Sequence, residues 1–141
     1  MYKVFFNQKP LILTNEIQEF SDTEPFIFIK YSSASQILKA LKSTKNNKVY
    51  LYHKNIDKLW KTFLKQFPVI EAAGGLVERT DNKLLFIFRN DKWDLPKGGV
   101  EKNELIIEAA KREVTEETGV ADLIVQNQLS ETYHIFKKGK R

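Results

Sequence analysis

The chain has 141 residues and a mass of 16.5 kDa, room for one domain of ordinary size or a small domain with an appendage. With 42% hydrophobic and 29% charged residues it has the make-up of a folded globular protein, so disorder as the global state is excluded. Cysteine is absent, which excludes a disulfide framework, a thiolate zinc site, an iron–sulfur cluster and a cysteine nucleophile, and no segment approaches the roughly 20 consecutive apolar residues that span a bilayer.

Met1–Pro10 lacks the long apolar stretch of a secretory leader, and with the missing cysteine this gives the expectation of a cytoplasmic protein with no membrane partner. The formal charge of +5 hides an asymmetry. Residues 1–70 carry 11 lysines, no arginine and 5 acidic groups, whereas residues 71–141 carry 12 basic and 13 acidic groups. A basic first half raises the local concentration of phosphate-bearing ligands. The plainer reading is a solvated lysine surface. No arginine-rich or aromatic-interleaved stretch marks a nucleic-acid reader, so nucleic acid is a possible but not favoured partner.

Residues 1–68 read as a small α/β module. Tyr2 to Phe6 and Pro10 to Leu13 are short strands around the turn Asn7-Gln8-Lys9, and Phe26 to Tyr31 is a third strand by its aromatic and β-branched content. Ser32-Ser33 offers an N-cap to a helix over Ala34 to Lys42, with Ile37, Leu38 and Leu41 at helical spacing. Val49 to Tyr52 is a fourth strand. Asn55 then caps a helix to about Phe67, whose apolar stripe is Ile56, Leu59, Trp60, Phe63, Leu64 and Phe67. Lys54, Lys58, Lys61 and Lys65 lie on its opposite face, either as a solvated row or as a polyphosphate or nucleic-acid contact. Pro68 stops the helix and sets the boundary to a second domain, residues 69–141.

In that second part Val69 to Glu78 is strand-like, with Gly74-Gly75 marking a bulge or the close approach of another group. Thr80-Asp81-Asn82 is a turn. Leu84 to Arg89 is a dense apolar strand expected to be buried on both faces, and Arg89 to Asp94 is expected to be a loop. Pro96 and Gly98-Gly99 force an irregular backbone. Asn103 can take a left-handed turn before a helix from Glu104 to about Thr118, closed by Gly119. At about 100° per residue, Leu105, Ile106, Ile107, Ala109, Ala110 and Val114 set the apolar direction of that helix. Glu113 and Glu117 then fall within roughly 40° of it, with Glu116 on the flank. Three carboxylates crowded near the negative end of a helix dipole need a compensating cation. Arg112 supplies one charge; a divalent metal with oxygen ligands, Mg²⁺ or Mn²⁺, would supply the rest. The alternative is a Glu-rich last turn solvated at the surface.

Gly98, then Glu104, then Arg112-Glu113-Val114-Thr115-Glu116-Glu117-Thr118-Gly119-Val120 matches the pattern G-x5-E-x7-R-E-U-x-E-E-x-G-U, with U apolar. The segment resembles the Nudix box, and the approach WDLPKGG and the strand AAGGLV are similar to the same family. The resemblance covers about Val69 onward. It implies an α+β fold, a Nudix-type α/β/α sandwich with a mixed sheet, here preceded by the small α/β module. It also implies a metal-dependent pyrophosphohydrolase that cleaves a nucleoside diphosphate linked to another moiety by water attack at phosphorus. By that resemblance Glu113, Glu116 and Glu117 would bind Mg²⁺ or Mn²⁺ with the Gly98 carbonyl. Glu104 would support the cluster or a second metal, Arg112 would orient Glu113, and Glu113 or Glu116 would accept the proton.

Among substrate contacts, Lys97 is a phosphate ligand or a solvated loop lysine, and Arg79 and Arg89 are phosphate contacts or surface ion pairs. Trp93 is read first as a loop anchor in the core and second as a stacking surface for a base. His53 and His134 stand singly in the sequence, a pattern that points to neither a zinc site nor a serine–histidine dyad. Asn103 stands where the family often has glycine, and Asn tolerates that backbone. No residues downstream of the box mark a particular substrate. Glu131 to Phe136 alternates like a strand whose partner would follow it, so the chain is expected to be truncated, with an unpaired edge open to homo-oligomer formation. A competing reading is a regulatory module that binds a nucleotide metabolite without turnover; the intact glutamates argue against it.

Overall fold

The computed structural model describes residues 1–19 and 21–137. In chain order its elements are β1 (Tyr2–Phe6), β2 (Lys9–Thr14), β3 (Phe26–Phe28), a 3-10 turn (Ile29–Tyr31), α1 (Ala34–Lys42), β4 (Val49–Tyr52), α2 (Ile56–Gln66), β5 (Ala72–Gly74), β6 (Ile87–Arg89), β7 (Lys92–Asp94), β8 (Lys97–Gly99), α3 (Ile106–Thr118) and β9 (Tyr133–Ile135). The chain is α+β and divides into two compact units, Met1–Val69 with the segment from Leu129 onward, and Ile70–Gln128. Among the described residues no helix is long and apolar enough to cross a membrane.

The first unit is a mixed sheet in the order β3-β4-β2-β1-β9. β1 and β2 form an antiparallel hairpin, turned at Asn7 with φ of 55°. β4 runs parallel to both β2 and β3, so β3–α1–β4 is a crossover unit. The period of two sorts the strands. Val4, Leu11, Leu13, Val49 and Leu51 point to one side, where they join Ile37 and Leu41 of α1 and Leu59 and Phe63 of α2 in a single buried cluster. Each such aliphatic side chain contributes about 1.5–3 kcal/mol by leaving water.

The helices start where their caps dictate. Ser33 Oγ accepts from the Gln36 amide at 3.2 Å while Gln36 Oε1 accepts from the Ser33 amide at 2.8 Å, a reciprocal capping box. Asn55 Oδ1 accepts from the Lys58 amide at 3.0 Å. Lys9 Nζ donates to the carbonyls of Leu41 (2.7 Å) and Ser43 (2.6 Å), a cation at the negative end of α1. The third strand is shorter than the sequence suggests. It ends at Phe28, because Ile29 turns into the core at 2% exposure and the chain winds into the 3-10 turn. Glu131 to Phe136 does yield a strand, β9, and among the described residues its partner precedes it. It pairs parallel with β1, Val4 opposite Tyr133 and Phe6 opposite Ile135.

In the second unit β5 and β8 form a short antiparallel ribbon, Ala73 opposite Gly98, and α3 packs on it through Ala109 and Val114. Two expectations are corrected here. Leu84 to Arg89 is not a strand buried on both faces. Its strand is confined to Ile87–Arg89, and Leu84, Phe86 and Phe88 are 47%, 48% and 61% exposed, since no second layer covers them within the unit. Nor is Arg89 to Asp94 a loop. Asn90 and Asp91 take φ of 52° and 60°, the left-handed pair that closes a two-residue hairpin between β6 and β7. The apolar residues Leu105, Ile106 and Ile107 at the head of α3 are also exposed, so its buried side narrows to Ala109, Glu113 and Val114.

Candidate active site

α3 begins two residues later than its sequence suggests. Asn103 takes φ of 62° and the Glu104 amide donates to the Glu101 carbonyl at 3.1 Å, a turn that delays the helix to Ile106. Gly119, with φ of 75°, ends it and donates to the Thr115 carbonyl at 2.8 Å. Arg112, Glu113, Glu116 and Glu117 therefore stand on its last two turns. Their side-chain exposures are 24%, 10%, 58% and 16%, the inward, flanking and inward order of the three glutamates that helical angles require.

Two glycines let the neighbouring strand come close. A Cβ on Gly98 would lie 2.1 Å from both Cδ and Oε2 of Glu113, so the Glu113 carboxylate fills the space a side chain there would need. A Cβ on Gly74 would lie 2.1 Å from the Pro96 carbonyl oxygen. The pair Gly74-Gly75 at the end of β5 thus marks close backbone approach, and the Gly75 amide donates to that same carbonyl at 3.2 Å.

Arg112 organises the acidic groups. Its Nε and Nη2 donate to Glu104 at 2.7 and 2.9 Å, a bidentate pair that fixes the guanidinium plane. Nη1 donates to Glu113 at 2.8 Å and to Glu116 at 3.2 Å, and Nη2 also donates to the Gly99 carbonyl at 2.9 Å. The hydrogen bonds from Arg112, and next the backbone amide of Glu101, pull the Glu104 carboxyl down from 4.5 to about 2. The same contacts, Glu104 first and Glu113 second, raise the guanidinium further above its ordinary value.

Glu117 belongs to a second group. Its Oε1 accepts from Arg89 Nη1 at 3.0 Å and its Oε2 from the Lys97 amide at 3.1 Å. The Lys97 ammonium lies 3.3 Å from Asp94. Arg89 and Lys97 are thus brought to the glutamate cluster. Arg79 is not: it makes a two-pronged ion pair with Asp81 inside the turn at Thr80–Asn82. Trp93 is 72% exposed and stands opposite Phe88 with ring centroids 5.1 Å apart, so the expectation of a core anchor is corrected. A hairpin of three-residue strands has no second layer to bury it. An open groove of about 450 Å³ beside the helix is lined by Lys111, Arg112, Thr115, Glu116, Ala121, Asp122 and Leu123.

The sequence pattern did not reveal the Gly99 carbonyl and the Lys97 amide, which are backbone groups and leave no residue signature. Among the described residues no three carboxylate or imidazole groups are gathered around one point as a ready metal cage. The carboxylates are distributed between two guanidinium groups, Glu113 and Glu116 on Arg112, Glu117 on Arg89. Their chemistry still fits a hard dication, with three carboxylates from adjoining turns of one helix and one of them seated in the cradle left by Gly98.

The family model of the NUDIX domain matches residues 69–140, just over half of the chain. Compared with curated proteins and with solved structures, the chain finds no match in either. The matched family is one of pyrophosphohydrolase type, which acts on small-molecule nucleotides and generally uses divalent metal cations. The glycine-cradled glutamate, the arginine that ties three carboxylates together and the matched span agree, and the chain belongs to the Nudix family.

Proposed function

We propose that residues 69–141 hydrolyse a diphosphate bond in a nucleoside diphosphate joined to a second group, such as a nucleotide sugar or a dinucleoside polyphosphate. In this reading residues 1–68 form a module with a separate role, and the enzyme is cytoplasmic. The observation that carries the proposal is the Arg112 guanidinium, which joins Glu104, Glu113, Glu116 and the Gly99 carbonyl into one hydrogen-bonded group. A surface Glu-rich turn has no use for such an arrangement.

Glu113, Glu116 and Glu117, with Gly98 and Glu104 in support, are the residues that would hold Mg²⁺ or Mn²⁺. A cation held there would polarise the bridging diphosphate and neutralise charge developing on it. Arg112, its plane fixed by Glu104, holds the Glu113 carboxylate in the Gly98 cradle and restrains Glu116. Glu113 or Glu116 accepts the proton of the attacking water at a carboxylate oxygen. Lys97 and Arg89, on either side of Glu117, contact phosphate oxygens. The exposed Trp93 ring offers a face to the base, while Arg79, paired to Asp81, is the least available of the four substrate contacts.

The test is release of phosphate or nucleotide from a panel of nucleoside diphosphate derivatives with Mg²⁺ or Mn²⁺. Turnover of at least one compound is expected, and Glu117→Gln should abolish it with an unchanged circular-dichroism spectrum. Full turnover in that variant refutes the metal assignment; no turnover on any compound refutes the hydrolase.

A further inference from the structure

We propose that the open face of the first sheet is a stacking platform for single-stranded nucleic acid, a binding site separate from the glutamate cluster. Both helices of the unit pack on one side of the sheet. The alternate residues face the other side, and the register lines them up across the strands. One row runs Lys3, Ile12, Tyr50, Phe26; the next runs Thr14, Tyr52, Phe28; and Phe5 stands opposite His134. None of these side chains joins the buried cluster beneath the helices; Ile12 and Thr14 on the central strand are themselves buried at 7% and 3%, and the rings of β3 and β4 beside them are partly exposed.

A solvent face of a sheet is ordinarily polar. This one carries rings that touch one another across β3 and β4. Phe26 is 5.2 Å from Tyr52, 5.5 Å from Phe28 and 6.5 Å from Tyr50 between centroids, and Phe28 is 5.2 Å from Tyr52. Phe28 is 46% exposed, and Tyr31, whose ring is 6.4 Å from it, is 75% exposed.

Lysines stand over the rings. Lys48 Nζ is 5.7 Å from the Tyr50 centroid, Lys30 Nζ is 5.7 Å from that of Tyr31 and Lys3 Nζ is 6.0 Å from that of Phe5.

That combination selects the occupant. An apolar helix or a second sheet docked here would have to desolvate the lysines without giving them counter-charges. A strand of unpaired nucleotides brings flat bases for the rings and phosphates for the ammonium groups. A duplex hides its bases and meets the rings poorly. The stretch of chain that holds these residues belongs to the half with 11 lysines against 5 acidic groups. The linear sequence shows no interleaving of aromatic and basic residues, because the platform is assembled from β1, β3, β4 and the 3-10 turn. The lysine row of α2 lies on the helix that covers the opposite side of the sheet, which makes the two surfaces separable by mutation.

The experiment is fluorescence anisotropy of the whole chain with labelled oligo(U), oligo(dT) and a duplex of equal length, at low and raised salt. Binding of at least one single strand is expected, weaker in salt and weaker for the duplex; the two single-stranded arms tell RNA from DNA. Phe28→Ala and Tyr31→Ala should each weaken binding roughly tenfold, and Lys48→Glu should weaken it as well. Lys58→Glu with Lys61→Glu, on α2, should leave it unchanged. Circular dichroism of every variant confirms the fold, and Lys48→Glu tests the site without removing a ring. Absence of binding to both single strands, equal affinity for the duplex, or loss through the α2 variants with the sheet variants intact overturns the proposal. Self-association abolished by Phe28→Ala, with no oligonucleotide bound, overturns it in favour of a second copy of the chain.

Discussion

Gly98→Ala separates the position of a carboxylate from the stability of the fold. The added methyl group would fall 2.1 Å from Cδ and Oε2 of Glu113 and 2.4 Å from Oε1. Non-bonded atoms settle at about 3.5 Å, so the carboxyl group must retreat by about 1.5 Å. Its hydrogen bond from Arg112 Nη1, 2.8 Å long, does not survive such a displacement. The colliding atoms are the free end of a side chain, and a shifted rotamer costs about 1 kcal/mol. Misplacing a reacting group by this distance costs roughly a hundredfold in rate. Gly74→Ala is the contrasting case. Its methyl group would meet the Pro96 carbonyl oxygen at 2.1 Å and the Lys97 Cα at 2.8 Å, and backbone must give way at about 1–3 kcal/mol. Calorimetric melting and turnover of a nucleoside diphosphate derivative, measured on both variants, should show Gly98→Ala nearly native in melting and about a hundredfold slower, with Gly74→Ala plainly less stable. Native turnover in Gly98→Ala would show that Glu113 need not sit where the structure places it. Equal melting losses in the two variants would show that the collision is not relieved by the side chain.

Two further predictions concern parts of the chain away from that cradle. Glu104 is held at about 2 against an ordinary 4.5, so it stabilises the fold fully above pH 4.5 and that contribution is lost as the pH falls from about 4.5 toward 2. The melting temperature of the metal-free protein should fall across this window, and in Glu104→Gln the fall should be shallower; identical slopes would remove the Arg112 pair as its cause. Ser33→Ala removes the α1 cap and should cost about 1 kcal/mol in urea unfolding, with no loss of turnover. A native midpoint would mean that Gln36 alone holds the helix start.

The sequence carries its information unevenly. The caps Ser33 and Asn55 and the stop at Gly119 were legible because they act locally, through one side chain or one left-handed residue. The inward direction of Glu113 and Glu117 followed from helical angles alone, although three of the six residues used to set that direction turned out exposed. Leu84 to Arg89 was misread because a continuous apolar run tells nothing of whether a second layer exists to cover it. The hairpin at Asn90-Asp91 had a local signal, two residues tolerant of positive φ, and could have been found. The directions of these side chains were legible and their pairings were not. Which carboxylate each arginine takes, Glu104 for Arg112 and Glu117 for Arg89, depends on how β6, β8 and α3 meet.

The parallel pairing of β9 with β1 joins residues far apart in the sequence. A ribosome delivers Tyr2–Phe6 well before Tyr133–Ile135, so the flank of β1 stays without its neighbour until α3 has been made. Closing so large a loop is entropically costly and slow compared with the β1–β2 hairpin. The segment Ile70–Gln128 is thereby an insertion in the sequence of the first unit, and the sheet of that unit is complete only after the segment has been synthesised.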